Sequence, residues 1–484
     1  MNPGEFDLAA AASREMQHEG FDPDFTPAAR EQAARLRQQP IEAPDSHLKD
    51  LRHILWSSID NDTSRDLDQI EFAERVVGGI RVLVGIADVS ASVPAGSPID
   101  QHAAAQTTTV YTPVRTFPML PEELSTDLTS LGEGQGRRAL TIEFLVAADG
   151  SISNSDIYAA LVDNCAKLTY NGVGPWLEQR AAPPARVADS VELQQQLKLQ
   201  DEAARALREQ RHRLGALEFD RVEAVPVIKD GRVTGILAQK KTRANDLIED
   251  FMVAANQVMA ERLRSAGCCA LQRVVKQPER WSRIVDLAAA RGTTLPAEPD
   301  SAALAAFLRQ EKAQNAVHYA DLSLAVVKLM GSGEYAVVCP DEQAGHFGLA
   351  AHDYTHSTAP NRRFADLVTQ RLIKSVLGKE SQPYTLPELQ TIASNCTLKE
   401  NAARKVERTM AKCMAAVALA GHVGQSFSGV VTGVTPKGTF VRIFDPPAEG
   451  RIVQGEKGVD VGDVIRVRLV GTNPDKGWID FSRS

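Results

Sequence analysis

The sequence predicts an α+β protein in three parts, and three observations carry that reading. Residues 1–50 are rich in Ala, Glu and Arg, as in "TPAAREQAARLRQQ", the texture of short helices. From about Leu51, strand-like apolar runs alternate with long helical stretches, which places one large mixed domain over residues 51–420. From Gly421 the chain turns Gly- and Val-rich with many short strand candidates between turns, so a small β domain is expected over 421–484. A chain of 484 residues has room for one large domain and one or two small ones.

Each element has a local reason. Thr26 is the natural N-cap of a first-part helix, because Pro27 has no N–H to lose at the first helical position. "RVLVGIADVSASV" and "RALTIEFLVAADGSI" read as strands, the second turning a hairpin at its Asp-Gly. Residues 188–214 contain no Gly or Pro and predict one long helix. "VEAVPVIKDGRVTGILAQ" is a second hairpin, turning at Asp230 and Gly231. After it Leu247, Phe251, Ala254 and Val258 recur at helical spacing and define one buried face. Residues 362–420 are mostly helical and end near "LAGHVGQSF".

Composition excludes several classes. A net charge of -8 rules out a blanket polycation, while a local channel of Arg and Lys stays open. Six cysteines, with Cys268 and Cys269 adjacent, fit neither a disulfide framework nor a paired zinc site. The N-terminus lacks a basic region followed by an apolar run, and no apolar stretch is long enough to span a bilayer. A reduced, cytoplasmic, monomeric protein without membrane association is the expectation.

Chemistry concentrates in "SSIDNDTSRDLDQIEF", Ser57–Phe72, which holds four aspartates and a glutamate within twelve residues. Carboxylates this close must be solvated, protonated or neutralised by a cation. A solvated acidic turn is the plain reading. A calcium loop fits at Asp60, Asp62, Ser64, Asp68 and Glu71, but Arg65 occupies the glycine position and β-branched residues stand where a helix should continue. The spacing of Asp60, Asp66 and Asp68 also suits a magnesium site with open positions for phosphate oxygens and water.

This aspartate motif, together with six later stretches of the chain, resembles the RNase II superfamily, whose catalytic domain is called RNB. Those stretches are "VGIADVSASVPAGSPID", "VYTPVRTFPMLPEELSTDLTSL", "AKLTYNGV", "GALEFDRVEA", "NDLIEDFMVAANQVMAERL" and "HFGLAAHDYTHSTAPNRRFADLVTQRL", in the family's order over about residues 51–410. The resemblance implies a mixed sheet or barrel surrounded by helices. Past Gly421, "GQSFSGVVTGVTPKGTFVRIF" is similar to the RNA-binding OB-fold of the ribosomal-protein S-one type. Its Gly-x-Phe-Val strand makes Phe440 the first candidate for base stacking, with plain barrel core as the competing reading.

By resemblance the chain is a processive 3′→5′ exoribonuclease that acts on single-stranded 3′ ends and releases nucleoside 5′-monophosphates in RNA degradation and processing. The resemblance implies magnesium, with manganese as the alternative, on Asp60, Asp66, Asp68 and the amide of Gln69, and gives Asp68 and Asp66 the central catalytic part. Arg362 matches the family's phosphate clamp, and Arg363 is a weaker candidate for the same path. Tyr111, Tyr170 and Phe219 match aromatics that stack on bases; Phe219 taken alone reads more readily as core. Glu249 matches a carboxylate on a ribose hydroxyl, and Glu407 one close to the terminal nucleotide.

Three departures qualify the match. Gln69 stands where the family has a fourth aspartate, and Ala359 and Asn361 flank Pro360 where Ser and Ile are usual. About 50 residues before the catalytic part cannot hold even one of the family's leading cold-shock-type barrels, so a more open RNA entrance is expected. Gln69 keeps a catalytically silent RNA-binding protein as the competing function.

Overall fold

The computed structural model describes residues 6–38, 48–220, 222–229, 232–315, 319–436 and 438–483. The turn at Asp230 and Gly231 therefore lies outside the described residues, but the strands on either side, Val222–Lys229 and Arg232–Lys240, pair antiparallel as a hairpin should.

The central domain is built on one sheet that curls back on itself. Strand Trp56–Asp60 pairs antiparallel with Gln69–Val76, which pairs with Gly79–Ala87, which pairs with Gly136–Val146. The long strand Ile152–Thr169 closes the ring. Its first half lies antiparallel to Gly136–Val146 and its second half parallel to Trp56–Asp60, where Asp60 faces Thr169. Two helices of 23 residues, Val191–Arg213 and Arg243–Ser265, pack on this sheet. Leu247, Phe251, Ala254 and Val258 are all buried against Trp56, Ile59 and their neighbours, as the helical spacing requires.

Two more helices, Phe364–Gly378 and Leu386–Leu419, complete the domain. The second is 34 residues long and starts from a capping box in which Thr385 and Glu388 satisfy each other's free N–H groups. Helix Leu8–His18 lies against it through Leu8, Ala12 and Met16, which meet Val406 and Met410. Helix Pro27–Gln38 starts where Thr26 Oγ1 accepts from Ala29 N.

The end of the long helix seats the C-terminal domain. Met414, Ala416 and Leu419 share an apolar core with Val441, Ile452, Leu469 and Phe481 of a closed five-stranded barrel. The α+β class and the terminal barrel match the sequence expectation. A smaller cluster around Trp281, Phe307 and Tyr319 sits apart from the main core.

One expectation needs correction. Cys269 and Cys339 form a disulfide. They stand one step beyond the pair Ala270 and Val338 in a two-stranded antiparallel ladder, so they face each other across it. Seventy residues separate them in the chain, and nothing local announces the pairing. Among the described residues no helix is long and apolar enough to cross a membrane.

Candidate active site

The acidic cluster lies where strand Trp56–Asp60 ends and strand Gln69–Val76 begins. The loop between them is held by bonds from three other segments. Ser130 Oγ accepts from Leu67 N at 3.0 Å and donates to Arg65 O at 2.8 Å. Leu131 N donates to Leu67 O, Ala87 N to Asp68 O, and Lys167 Nζ to Ser64 O. Asp68 is only 2 % exposed. A solvated turn does not fix its backbone in this way, and a calcium loop would run into a helix rather than a strand. Both of those readings fall.

The other half of the site arrives from the segment just before helix Phe364–Gly378. Asn361 N donates to Asp68 Oδ1 at 3.0 Å, and Arg362 Nε stands 3.4 Å from Asp68 Oδ2. The Arg362 main chain is pinned by Thr109 N at 2.9 Å, while its side chain stays 47 % exposed. Behind it Asp366, fully buried, accepts from Ala359 N and takes both donors of the Arg363 fork at 2.8 and 2.7 Å. The two adjacent arginines thus divide the work: Arg363 holds the turn and Arg362 presents its guanidinium to the cleft.

The electrostatics are those of carboxyls short of positive charge. Burial raises the Asp68 carboxyl to about 7, and the nearby Asp66 charge adds to the rise, while Arg362 and the Asn361 N–H oppose it. Asp60 is also raised, mainly by burial and further by Asp66, although Asn61 N and Ser64 Oγ donate to it. Glu71 lies well above its ordinary value because it is buried beside Asp60. A divalent cation fits such a set, since it would supply the charge that Arg362 alone does not. The oxygens of Asp60, Asp66 and Asp68 do not all come within 4.8 Å of one another; among the described residues only the trio Glu15, His18 and Glu19 does, and Lys405 bonds Glu19 there.

The remaining candidates divide. Tyr111 Oη donates to Asp66 Oδ2 at 3.2 Å, and Tyr111 N donates to Glu407 Oε1 at 3.1 Å, so these three are brought together. Tyr170 is half-buried within the fields of Asp60 and Glu71. Glu249 pairs with Lys241, which together with other nearby cations outweighs its desolvation and lowers it. Gln69 is buried as the first residue of its strand, opposite Ile86. Phe219 lies apart from these residues, half-buried against the Trp281 cluster. Phe440 is on the outer face of the barrel, since its neighbours Thr439 and Val441 point inward. Sequence reasoning missed Asp366 and Glu71. Asp366 lies one helical turn beyond Arg363, a spacing that signals an ion pair, and Glu71 was visible only as part of the rejected calcium loop.

Comparison with known proteins agrees with this architecture. A family model described as the RNB domain matches residues 48–379, and one described as the RNase II-type exonuclease C-terminal S1 domain matches 425–484. Ribonuclease R of Escherichia coli is 30% identical over 501 residues, covering 94% of this chain and 60% of that protein. Ribonuclease R of Thermotoga maritima is 31% identical over 468 residues, covering 90% and 64%. The chain therefore spans about three fifths of the length of these relatives. Mycoplasma genitalium RNase R in complex with ribose-methylated single-stranded RNA superposes with a TM-score of 0.87 at 22% identity, over 99% of this chain and 78% of that one. Yeast Ssd1, described as a pseudonuclease, gives 0.71 at 17% identity over 92% and 56%.

Proposed function

The chain belongs to the RNB family, and on that premise we propose that it is a magnesium-dependent exoribonuclease. It removes nucleoside 5′-monophosphates from single-stranded 3′ ends of RNA, processively, in the 3′→5′ direction. Residues 51–420 are the catalytic domain in this reading, and 421–484 the RNA-binding barrel. The observation that carries it is the half-exposed Arg362 guanidinium 3.4 Å from the buried carboxylate of Asp68, with Asp66 and Asp60 close by.

Water attacks the scissile phosphorus, the bond to the 3′ oxygen breaks, and that oxygen leaves with a proton from solvent. Arg362 suits the phosphate because its planar fork donates two parallel bonds to equatorial oxygens and cannot lose its charge. The clamp is preorganised: the backbone of residues 359–363 is fixed to Asp366 and to the 107–109 segment, so little reorganisation accompanies charge build-up. Asp60, Asp66, Asp68 and the Gln69 amide would hold the magnesium, which when bound would polarise the phosphodiester and lower the pKa of the attacking water. Tyr111 and Tyr170 offer ring faces to bases of any identity, as a degradative enzyme requires. Glu249, ion-paired with Lys241, would read a ribose hydroxyl and so tell RNA from DNA.

Gln69 supports a second reading, a silent RNA-binding protein, to which the shared fold of a pseudonuclease lends weight. The two are separated by incubating the purified chain with 5′-labelled single-stranded RNA and magnesium, beside lanes with EDTA and the same sequence as DNA. Short 5′-labelled end products without intermediates, absent with EDTA or DNA, are the expected result. RNA bound but intact across magnesium and manganese titrations would establish the silent binder.

A further inference from the structure

Glu71 is a fully buried carboxyl for which the proposed mechanism has no use. It sits two residues beyond Gln69 on the same strand, and a period of two puts both side chains on one face. Across the ladder it faces Ser57, on the strand that ends at Asp60. Among the described residues neither of its carboxyl oxygens has a hydrogen-bond partner, and neither has Ser57 Oγ opposite. Its main-chain carbonyl, by contrast, accepts from Gln200 Nε2 at 3.3 Å. No Lys or Arg among the described residues pairs with it. Glu71 lies directly below Gln69, on the strand that opens at the site.

An apolar side chain would fill this place at far lower cost than two orphaned carboxyl oxygens. A group of this kind in a native interior marks an ion or water that completes it. Gln69, meanwhile, leaves the aspartate motif one carboxylate short. We propose that Glu71 supplies that missing carboxylate, ligating, directly or through a bound water, the divalent cation that Asp60 holds. This rests on the metal-dependent reading above and names a further ligand for it.

The test is Mn2+ binding to the full chain without RNA, read from the electron paramagnetic resonance signal of free Mn2+. Asp68→Asn serves as the reference variant, and thermal melts in EDTA report on folding. Glu71→Gln is expected to weaken Mn2+ binding by about tenfold or more while melting in EDTA no earlier than the parent. Adding Gln69→Asp to Glu71→Gln should restore the affinity, a rescue that a purely structural role would not produce. Unchanged Mn2+ affinity in Glu71→Gln, with Asp68→Asn weakened, would overturn the proposal and leave Glu71 a buried neutral carboxyl. Unchanged affinity in both variants would instead sink the metal-dependent reading itself. Should Glu71→Gln fail to fold, Gln69→Asp alone decides: tighter binding by less than about threefold supports a motif already complete, and a larger gain overturns it.

Discussion

Around Asp68 each polar group is set by a partner from a different segment of the chain. The Asn361 N–H, the Arg362 guanidinium and the Ala87 N–H all converge on a residue that is 2 % exposed. On the outer face of the barrel the terms are reversed. Phe440 is half-exposed, with Gly433 and Arg451 as its cross-strand neighbours, and Trp478 is 56% exposed with Lys476 Nζ 4.5 Å from its ring centroid. Developing charge needs donors that are already in place and dry, whereas a stacking ring needs only to be flat and reachable. Substitutions in the cleft should therefore be costly and specific to chemistry, and those on the barrel mild and confined to binding.

The largest effect separating the two regions is expected from Asp68→Asn. Hydrolysis of a short RNA should fall by about a thousandfold or more, with affinity for single-stranded RNA retained in a filter-binding assay. Equal loss of binding and turnover would erase the distinction between cleft and barrel. Arg362→Lys comes next, because a point charge replaces a two-pronged donor. Its turnover should drop by about a hundredfold, mostly in kcat, and a change in KM alone would move Arg362 from clamp to docking contact.

Burial of Asp68 sharpens the comparison through stability. Its carboxyl titrates near 7 in the folded protein against 3.8 ordinarily, so the folded state binds the proton more tightly. That contribution is fully present below about pH 3.8 and is lost as pH rises through 7. In EDTA at pH 8, Asp68→Asn should therefore be the more stable protein, by up to about 4 kcal/mol, with the gap closing toward pH 4 in parallel denaturant melts. A gap independent of pH would show that packing, not ionisation, sets it. The smallest effect belongs to the barrel: Phe440→Ala should weaken binding of long single-stranded RNA by about tenfold, one stacked base, and leave turnover of a tetranucleotide unchanged.

How much of the molecule was legible from residues alone depended on range. The buried face of helix Arg243–Ser265 was readable because side chains three and four apart share a face of any helix. The aspartates were readable because they are contiguous, and their order with the later motifs carried the family resemblance. Arg363 was read as a weaker candidate for the phosphate path, and only the tertiary structure shows the buried Asp366 that takes its fork. Phe219 was read from its motif as a stacking residue, and its packing against the cluster of Trp281, Phe307 and Tyr319 is a long-range feature that no local period encodes. Glu71 was visible only as a member of the acidic cluster, because its isolation is a property of its surroundings.

By itself the sequence determined what repeats at short range: helix faces, strand alternation, the Asp-Gly turn after "LVAA" and the spacing of Asp60, Asp66 and Asp68. Those features come from backbone geometry, which every residue carries with it. Only the tertiary structure decided that Asn361 meets Asp68 across 293 residues, that Tyr111 bridges Asp66 and Glu407, and that Cys269 faces Cys339. Such meetings depend on how a sheet closes and which loop crosses its end, and no local period encodes that. Burial belongs with them: an aspartate becomes a carboxyl that titrates near 7 only when distant segments take the water away.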